Sequence, residues 1–121
     1  MTIESQLLEL AESIALKAGN LLSQRPSKFE LDQKSGVFDF ATHMDHASEK
    51  LIVEEILASR PDDGLLGEEG ANRPSSSGIT WVIDPIDATY AFIVGMPFYS
   101  VAIGLLKNSK PYLGVVNVVG M

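Results

Sequence analysis

Trp81-Val82-Ile83-Asp84-Pro85-Ile86-Asp87-Ala88-Thr89 carries more structural instruction than any other stretch of the chain. Ile79 to Ile83 is β-branched and aromatic, the composition of a buried strand. Pro85 sets φ for a turn, so Asp84 to Phe92 reads as a turn off that strand into a short helix. Two carboxylates three residues apart around a tight turn can converge on one point, and the Ile86 carbonyl between them is a third hard oxygen. Such a donor set suits Mg²⁺ better than zinc. A helix starting at Asp87 leaves the N–H groups of Ala88 and Thr89 as unpaired donors at its positive end, a phosphate cradle beside the metal. The same residues also spell an ordinary element: Asp-Pro opens many turns, and Asp87 is a common N-cap.

Downstream, Phe98 to Leu106 and Tyr112 to Val119 read as strands. The connection Lys107-Asn108-Ser109-Lys110-Pro111 is short enough to make the pair antiparallel. Ala88 to Leu106 contains no charged side chain and has the length of a membrane span. Gly95, Pro97 and Gly104 interrupt it, and Tyr90, Tyr99 and Ser100 dilute it. Two buried elements joined by a Gly-x-Pro turn describe it better, and no membrane partner is expected.

Upstream, Ile3, Leu7, Leu10, Ile14, Ala18 and Leu21 recur at helical spacing and predict a helix over Thr2 to Gln24. Thr2 is placed to cap it, Glu4 lies in its first turn, and Arg25-Pro26 stops it. Phe29 to Phe40 is sparse in apolar residues and fits a short hairpin or open loop. A second helix is expected over Thr42 to Ser59, with Thr42 and Asp45 as a capping-box-like start and Leu51, Ile52, Ile56 and Leu57 as its buried face. His43 and His46 fall on the polar face of that start rather than forming a metal site. Leu65-Leu66 is a short apolar run, an edge of sheet, and Glu68 to Gly78 is an exposed polar loop. Two helices followed mostly by strands indicate an α+β fold: two amino-terminal helices packed on a mainly antiparallel sheet.

The chain has 121 residues, enough for one domain or part of one. Nine basic residues against sixteen acidic ones give a net charge of −7, so no nucleic-acid partner is expected. A hydrophobic content of 45% with 21% charged residues describes a packed core rather than a disordered segment. The chain has no cysteine, which excludes disulfides, thiolate zinc sites and thiol nucleophiles. That absence, and an amino terminus carrying Glu4, Glu9 and Glu12 without an apolar block, fit a cytoplasmic location.

A second carboxylate pair, Glu68-Glu69, is framed by Gly67 and Gly70. Alone it is an ordinary solvated loop. Following a short strand and facing the Asp84 turn, it becomes a second source of ligands, as two cations about 3.5–4 Å apart would need.

Leu66-Gly67-Glu68-Glu69-Gly70 followed by Trp81 to Thr89 resembles the signature of the inositol monophosphatase family. Lys34-Ser35-Gly36 with Asp39-Phe40-Ala41-Thr42-His43-Met44-Asp45, and Gly95-Met96-Pro97-Phe98 downstream, resemble other segments of that family. The resemblance implies a Mg²⁺-dependent, lithium-sensitive phosphomonoesterase, typically a homodimer, in which a metal-activated water hydrolyses inositol monophosphate or a similar small sugar or polyol phosphate. Histidinol phosphate, fructose bisphosphate and a 3′-phosphonucleotide are alternative substrates within the family, and a non-catalytic half-domain is a further alternative. The resemblance implies Glu68, Asp84, the Ile86 carbonyl and Asp87 as metal ligands, and the amides of Ala88 and Thr89 as the phosphate site. It implies the Thr89 hydroxyl and Asp45 in activating the attacking water, with Lys34 near a metal loop. Two residues depart from the family pattern: Ala88 stands where the family has glycine, and Ala91 where it has asparagine. The family's later Trp-Asp-x-Ala-Ala-Gly type segment, with a further ligand Asp, does not occur in these residues. Residues 1–121 are therefore expected to form a partial sugar-phosphatase domain that exposes apolar surface and a strand edge, associates, and has negligible activity by itself.

Overall fold

The structure, a computed structural model, describes residues 2–24, 37–68, 70–87 and 99–119, the side chains of residues 37–42 and of Asp87 aside. Among these residues two helices, α1 (Ile3–Ser23) and α2 (Val37–Ser59), precede five strands: β1 (Gly64–Gly67), β2 (Asn72–Arg73), β3 (Ile79–Asp87), β4 (Ser100–Lys107) and β5 (Lys110–Val118). The strands form one sheet in the order β2-β1-β3-β4-β5. Only β1 and β3 run parallel; the other neighbours are antiparallel. The α+β architecture expected from the sequence is the one observed.

α1 starts at Thr2, whose side chain accepts a hydrogen bond from the Ser5 amide at 3.1 Å. One orphan donor of the first turn is thereby satisfied, and Glu4 sits favourably at the helix's positive end. The buried face is rotated from the expected one. Leu7, Ile14 and Ala18 lie in the core as read, but Ala11, Ala15 and Leu22 join them, while Ile3 is 48% exposed. Small alanines let the helix approach the sheet closely, and larger neighbours then fall to the flank. The Asn117 side-chain amide of β5 donates to the Ala15 carbonyl at 3.0 Å, a direct helix–sheet tie.

α2 begins at Val37, five residues before the expected start, so Thr42 is inside the helix and caps nothing. The expected loop over Phe29 to Phe40 is helical from Val37; its earlier part lies outside the described residues. Ile52 and Ile56 are fully buried, and Leu51 and Leu57 pack partly against the same core. A Lys17–Glu55 ion pair links the two helices. Both groups are solvent-accessible, so it contributes little compared with burial.

Inward-facing Trp81 and Ile83 of β3 and Val101, Ile103 and Leu105 of β4 meet the helices. Each fully buried aliphatic side chain contributes about 1.5–3 kcal/mol. Trp81 is anchored as well as buried. Its indole Nε1 donates to Asp63 Oδ2 at 2.9 Å, and Asp63 also accepts from Arg60 Nε and Nη2 and from the Ser77 hydroxyl.

Three further expectations are corrected. β1 is not an edge, because β2 covers its free side for two residues. The loop from Glu68 to Gly78 therefore contains a strand. Its serines are bonded rather than merely solvated: Ser75 donates to the Ile79 carbonyl, Ser76 to the Asp62 carbonyl and Ser77 to Asp63. The β4–β5 turn is tighter than the five residues expected. Lys107 pairs with Lys110, leaving Asn108 and Ser109 at φ 52° and 69°, the backbone of a type I′ hairpin that matches strand twist.

Candidate metal and phosphate site

β1 ends beside Ile83, within β3. Their parallel register runs from Gly64↔Thr80 to Gly67↔Ile83. Glu68 follows Gly67, and Asp84 follows Ile83. By strand alternation Glu68 shares a face with Leu66, and Asp84 shares one with Val82. Leu66 and Val82 are directly paired and both exposed, so this is the face turned away from the helices. Glu68 and Asp84 accordingly line one open depression of about 460 Å³ with Leu66, Val82, Ala102 and Gly104.

The strand does not turn into a helix at Asp84, as the sequence led one to expect. β3 continues to Asp87 with a bulge. Asp84 pairs with Ala102 and Asp87 with Ser100, so three steps on β3 oppose two on β4. Pro85 is the physical cause the sequence supplies: it has no N–H to offer a ladder. Ser48 of α2 donates its hydroxyl to the Pro85 carbonyl at 3.1 Å. Ile86 sits within the bulge with its side chain buried. Bulges of this kind re-aim side chains and often border functional sites.

The opposite arm is held in a tight reversal. The Gly67 amide donates to the Ala71 carbonyl at 2.7 Å, closing the turn that contains Glu68. The Ala71 amide in turn donates to Glu49 Oε2 of α2 at 3.0 Å.

Of the residues read from the sequence as functional, Glu68 and Asp84 are brought together at this depression. The Asp87 backbone lies three residues beyond Asp84 on the same strand. Asp45 lies on α2 one turn before Ser48 and Glu49 and is not among the lining residues. Lys34, Ala88, Thr89 and the departure at Ala91 lie outside the described residues, as do Glu69 and the side chain of Asp87. Among the described residues, no three His, Asp or Glu side chains form a metal cluster. His43 and His46 are exposed on α2. Among the described residues no helix is long and apolar enough to cross a membrane, and Ser100 to Leu106 of the long apolar stretch is strand β4. The donor chemistry at the depression, the carboxylates of Glu68 and Asp84 without sulfur, fits a hard divalent cation.

Ser48, Glu49 and Asp63 were not singled out by sequence reasoning. Ser48 and Glu49 have a legible signal: they precede Ile52 by four and three residues, so two polar side chains continue a core-facing stripe.

The same order of segments is found in known proteins. The family model described as the inositol monophosphatase family matches residues 3–120. A histidinol-phosphatase from Chlorobaculum parvum is 43% identical over 91% of this chain and 43% of its own length. A fructose-1,6-bisphosphatase/inositol-1-monophosphatase from Aquifex aeolicus is 37% identical over 90% of this chain and 42% of its own. Among solved structures, inositol monophosphate-bound SaIMPase-II superposes with a TM-score of 0.74 at 32% identity, over 94% of this chain and 41% of that one. The chain thus spans about two fifths of the length of the relatives it matches. With a match from Ile3 to Gly120, and with Glu68 and Asp84 lining one depression, the chain belongs to the inositol monophosphatase family.

Proposed function

We propose that this chain contributes the metal- and phosphate-binding half of a Mg²⁺-dependent phosphomonoesterase acting on a small phosphorylated polyol or sugar, with inositol monophosphate the first substrate to test. The observation that carries the reading is the placing of Glu68 and Asp84 on one depression, where the parallel pairing of β1 with β3 stops. Glu68, Asp84, the Ile86 carbonyl and Asp87 would hold Mg²⁺. When bound, the cation supplies Lewis acidity to the phosphoryl oxygens and acidifies water.

The chain's own groups do the rest. Carboxylates carried by the sheet, Glu68 just after β1 and Asp84 within β3, need little backbone rearrangement when substrate arrives. Ala88 and Thr89 offer main-chain N–H groups to phosphate; alanine keeps the donor that the family's glycine supplies. The Thr89 hydroxyl and Asp45 would help activate the attacking water, the hydroxyl accepting a hydrogen bond from it and the Asp45 carboxylate receiving the proton, and Lys34 adds positive charge nearby. Leu66 and Val82 give the depression an apolar floor. The protein is proposed to be lithium-sensitive, cytoplasmic and homodimeric, and residues 1–121 by themselves to have negligible activity.

The test is phosphate release by the purified protein from inositol monophosphate, histidinol phosphate, fructose 1,6-bisphosphate and a 3′-phosphonucleotide, with Mg²⁺ and with EDTA. Release that needs Mg²⁺, is inhibited by Li⁺ and is fastest with inositol monophosphate supports the reading. A full-length protein releasing phosphate equally well in EDTA refutes it.

A further inference from the structure

α2 reaches both arms of the depression from the opposite side of the sheet. Ser48 and Glu49 are adjacent residues, 0% and 4% exposed, and neither belongs to the proposed ligand set. Ser48 bonds the Pro85 carbonyl within the Asp84–Asp87 bulge. Glu49 accepts from the Ala71 amide, which closes the far side of the turn holding Glu68. The Glu49 carboxylate also lies directly against Gly67. A Cβ added at Gly67 would stand 2.6 Å from the Glu49 Cδ, closer than any side chain tolerates. A side chain at Gly67 would therefore displace the Glu49 carboxylate.

Burying a carboxylate is costly unless its oxygens are bonded, so a helix position needing only bulk would favour an apolar residue. Here the buried polar pair is spent on two main-chain groups. One lies in each arm, and each is within four residues of a carboxylate of the depression. Both bonds originate from one rigid helical turn, so the helix fixes the separation of the arms.

We propose that Ser48 and Glu49 are positioning residues that set the spacing of Glu68 and Asp84 for a divalent cation; this rests on the metal reading given above. Supporting groups of this kind commonly change metal affinity by about 10- to 100-fold when removed. Neither side chain needs to touch the cation.

The experiment titrates the protein with Mn²⁺, followed by electron paramagnetic resonance, for wild type, E49A, E49Q and S48A. Hydrogen exchange at the Ala71 amide is measured in parallel without metal. Glu49→Gln keeps an acceptor oxygen and the side-chain volume, whereas Glu49→Ala loses both. The expected result is faster Ala71 exchange and a Mn²⁺ affinity reduced about 10- to 100-fold in E49A, with both restored in E49Q. Ser48→Ala, a milder change, is expected to weaken Mn²⁺ about tenfold while Ala71 exchange stays as in wild type. If E49A does not fold, S48A carries the decision. Folded variants that bind Mn²⁺ as wild type does overturn the brace. A wild type that takes up no Mn²⁺ overturns the metal reading, and unchanged Ala71 exchange in E49A then overturns the brace on its own.

Discussion

Trp81 and Asp63 are joined by a 2.9 Å hydrogen bond from the indole nitrogen to a carboxylate oxygen, both side chains being closed off from water. The bond ties the middle of β3 to the loop that leads out of α2. Burial pushes the Asp63 carboxyl up, but bonds from Arg60, Ser77 and Trp81, with the Arg60 charge, outweigh it and hold the group below its ordinary value of 3.8. A group whose folded pKa is depressed stabilises the fold above its unfolded pKa and loses that contribution as pH falls through the folded one. Stability is therefore expected to be steady above pH 3.8 as far as Asp63 is concerned, and to fall below it. Asp63→Asn is expected to cost about 2 kcal/mol and to flatten that acid limb. Trp81 is the one tryptophan, so urea melts followed by its fluorescence at several pH values read the effect directly. A D63N protein with wild-type stability at pH 7 would contradict the role of the bond.

The amino-terminal helix and the antiparallel pairing of the last two strands were legible because their determinants are local. Thr2 caps three residues away, and Asn108-Ser109 leaves no room for a crossover. The start of α2 was not legible, because Thr42 and Asp45 imitate a cap and the five preceding residues lack a clear helical stripe. Glu68 and Asp84 could be named from their flanking residues. What presents them could not. Ser48 lies 37 residues from Pro85, Glu49 22 from Ala71, and Asp63 18 from Trp81. Asp62 and Asp63 look alike in Pro-Asp-Asp-Gly, and only tertiary packing makes one of them a buried acceptor.

The hairpin turn offers a stabilising change. Ser109 holds φ 69°, which costs a side-chain-bearing residue about 1–2 kcal/mol relative to ordinary backbone. Ser109→Gly creates Asn-Gly, the pair type I′ turns favour, and is expected to raise stability by about 0.5–1 kcal/mol. Glycine's greater unfolded entropy offsets the rest. A urea midpoint that falls would show that the turn is not under this strain.

The sheet face turned away from the helices is apolar in consecutive rows. Leu66, Val82, Val116 and Val118 are each at least 39% exposed on it, and β5 is an edge. Residues 1–121 expressed alone are expected to bind a hydrophobic dye and to gain apparent mass with concentration. Val82→Thr with Val116→Thr should reduce both, with each change within about 0.5 kcal/mol of neutral because threonine suits strands. Light scattering that finds a dye-negative monomer at every concentration would exclude this surface as the cause of association.

Glu68 and Asp84, 16 residues apart in sequence, are proposed to act together on one divalent cation. The most direct measurement is Mn²⁺ affinity by electron paramagnetic resonance for wild type, E68Q, D84N and the double variant, with circular dichroism confirming the fold. Each single change is expected to weaken binding by at least about tenfold. The double variant should lose less than the product of the two, as coupled ligands do. Folded single variants that bind Mn²⁺ as tightly as wild type would contradict the claim.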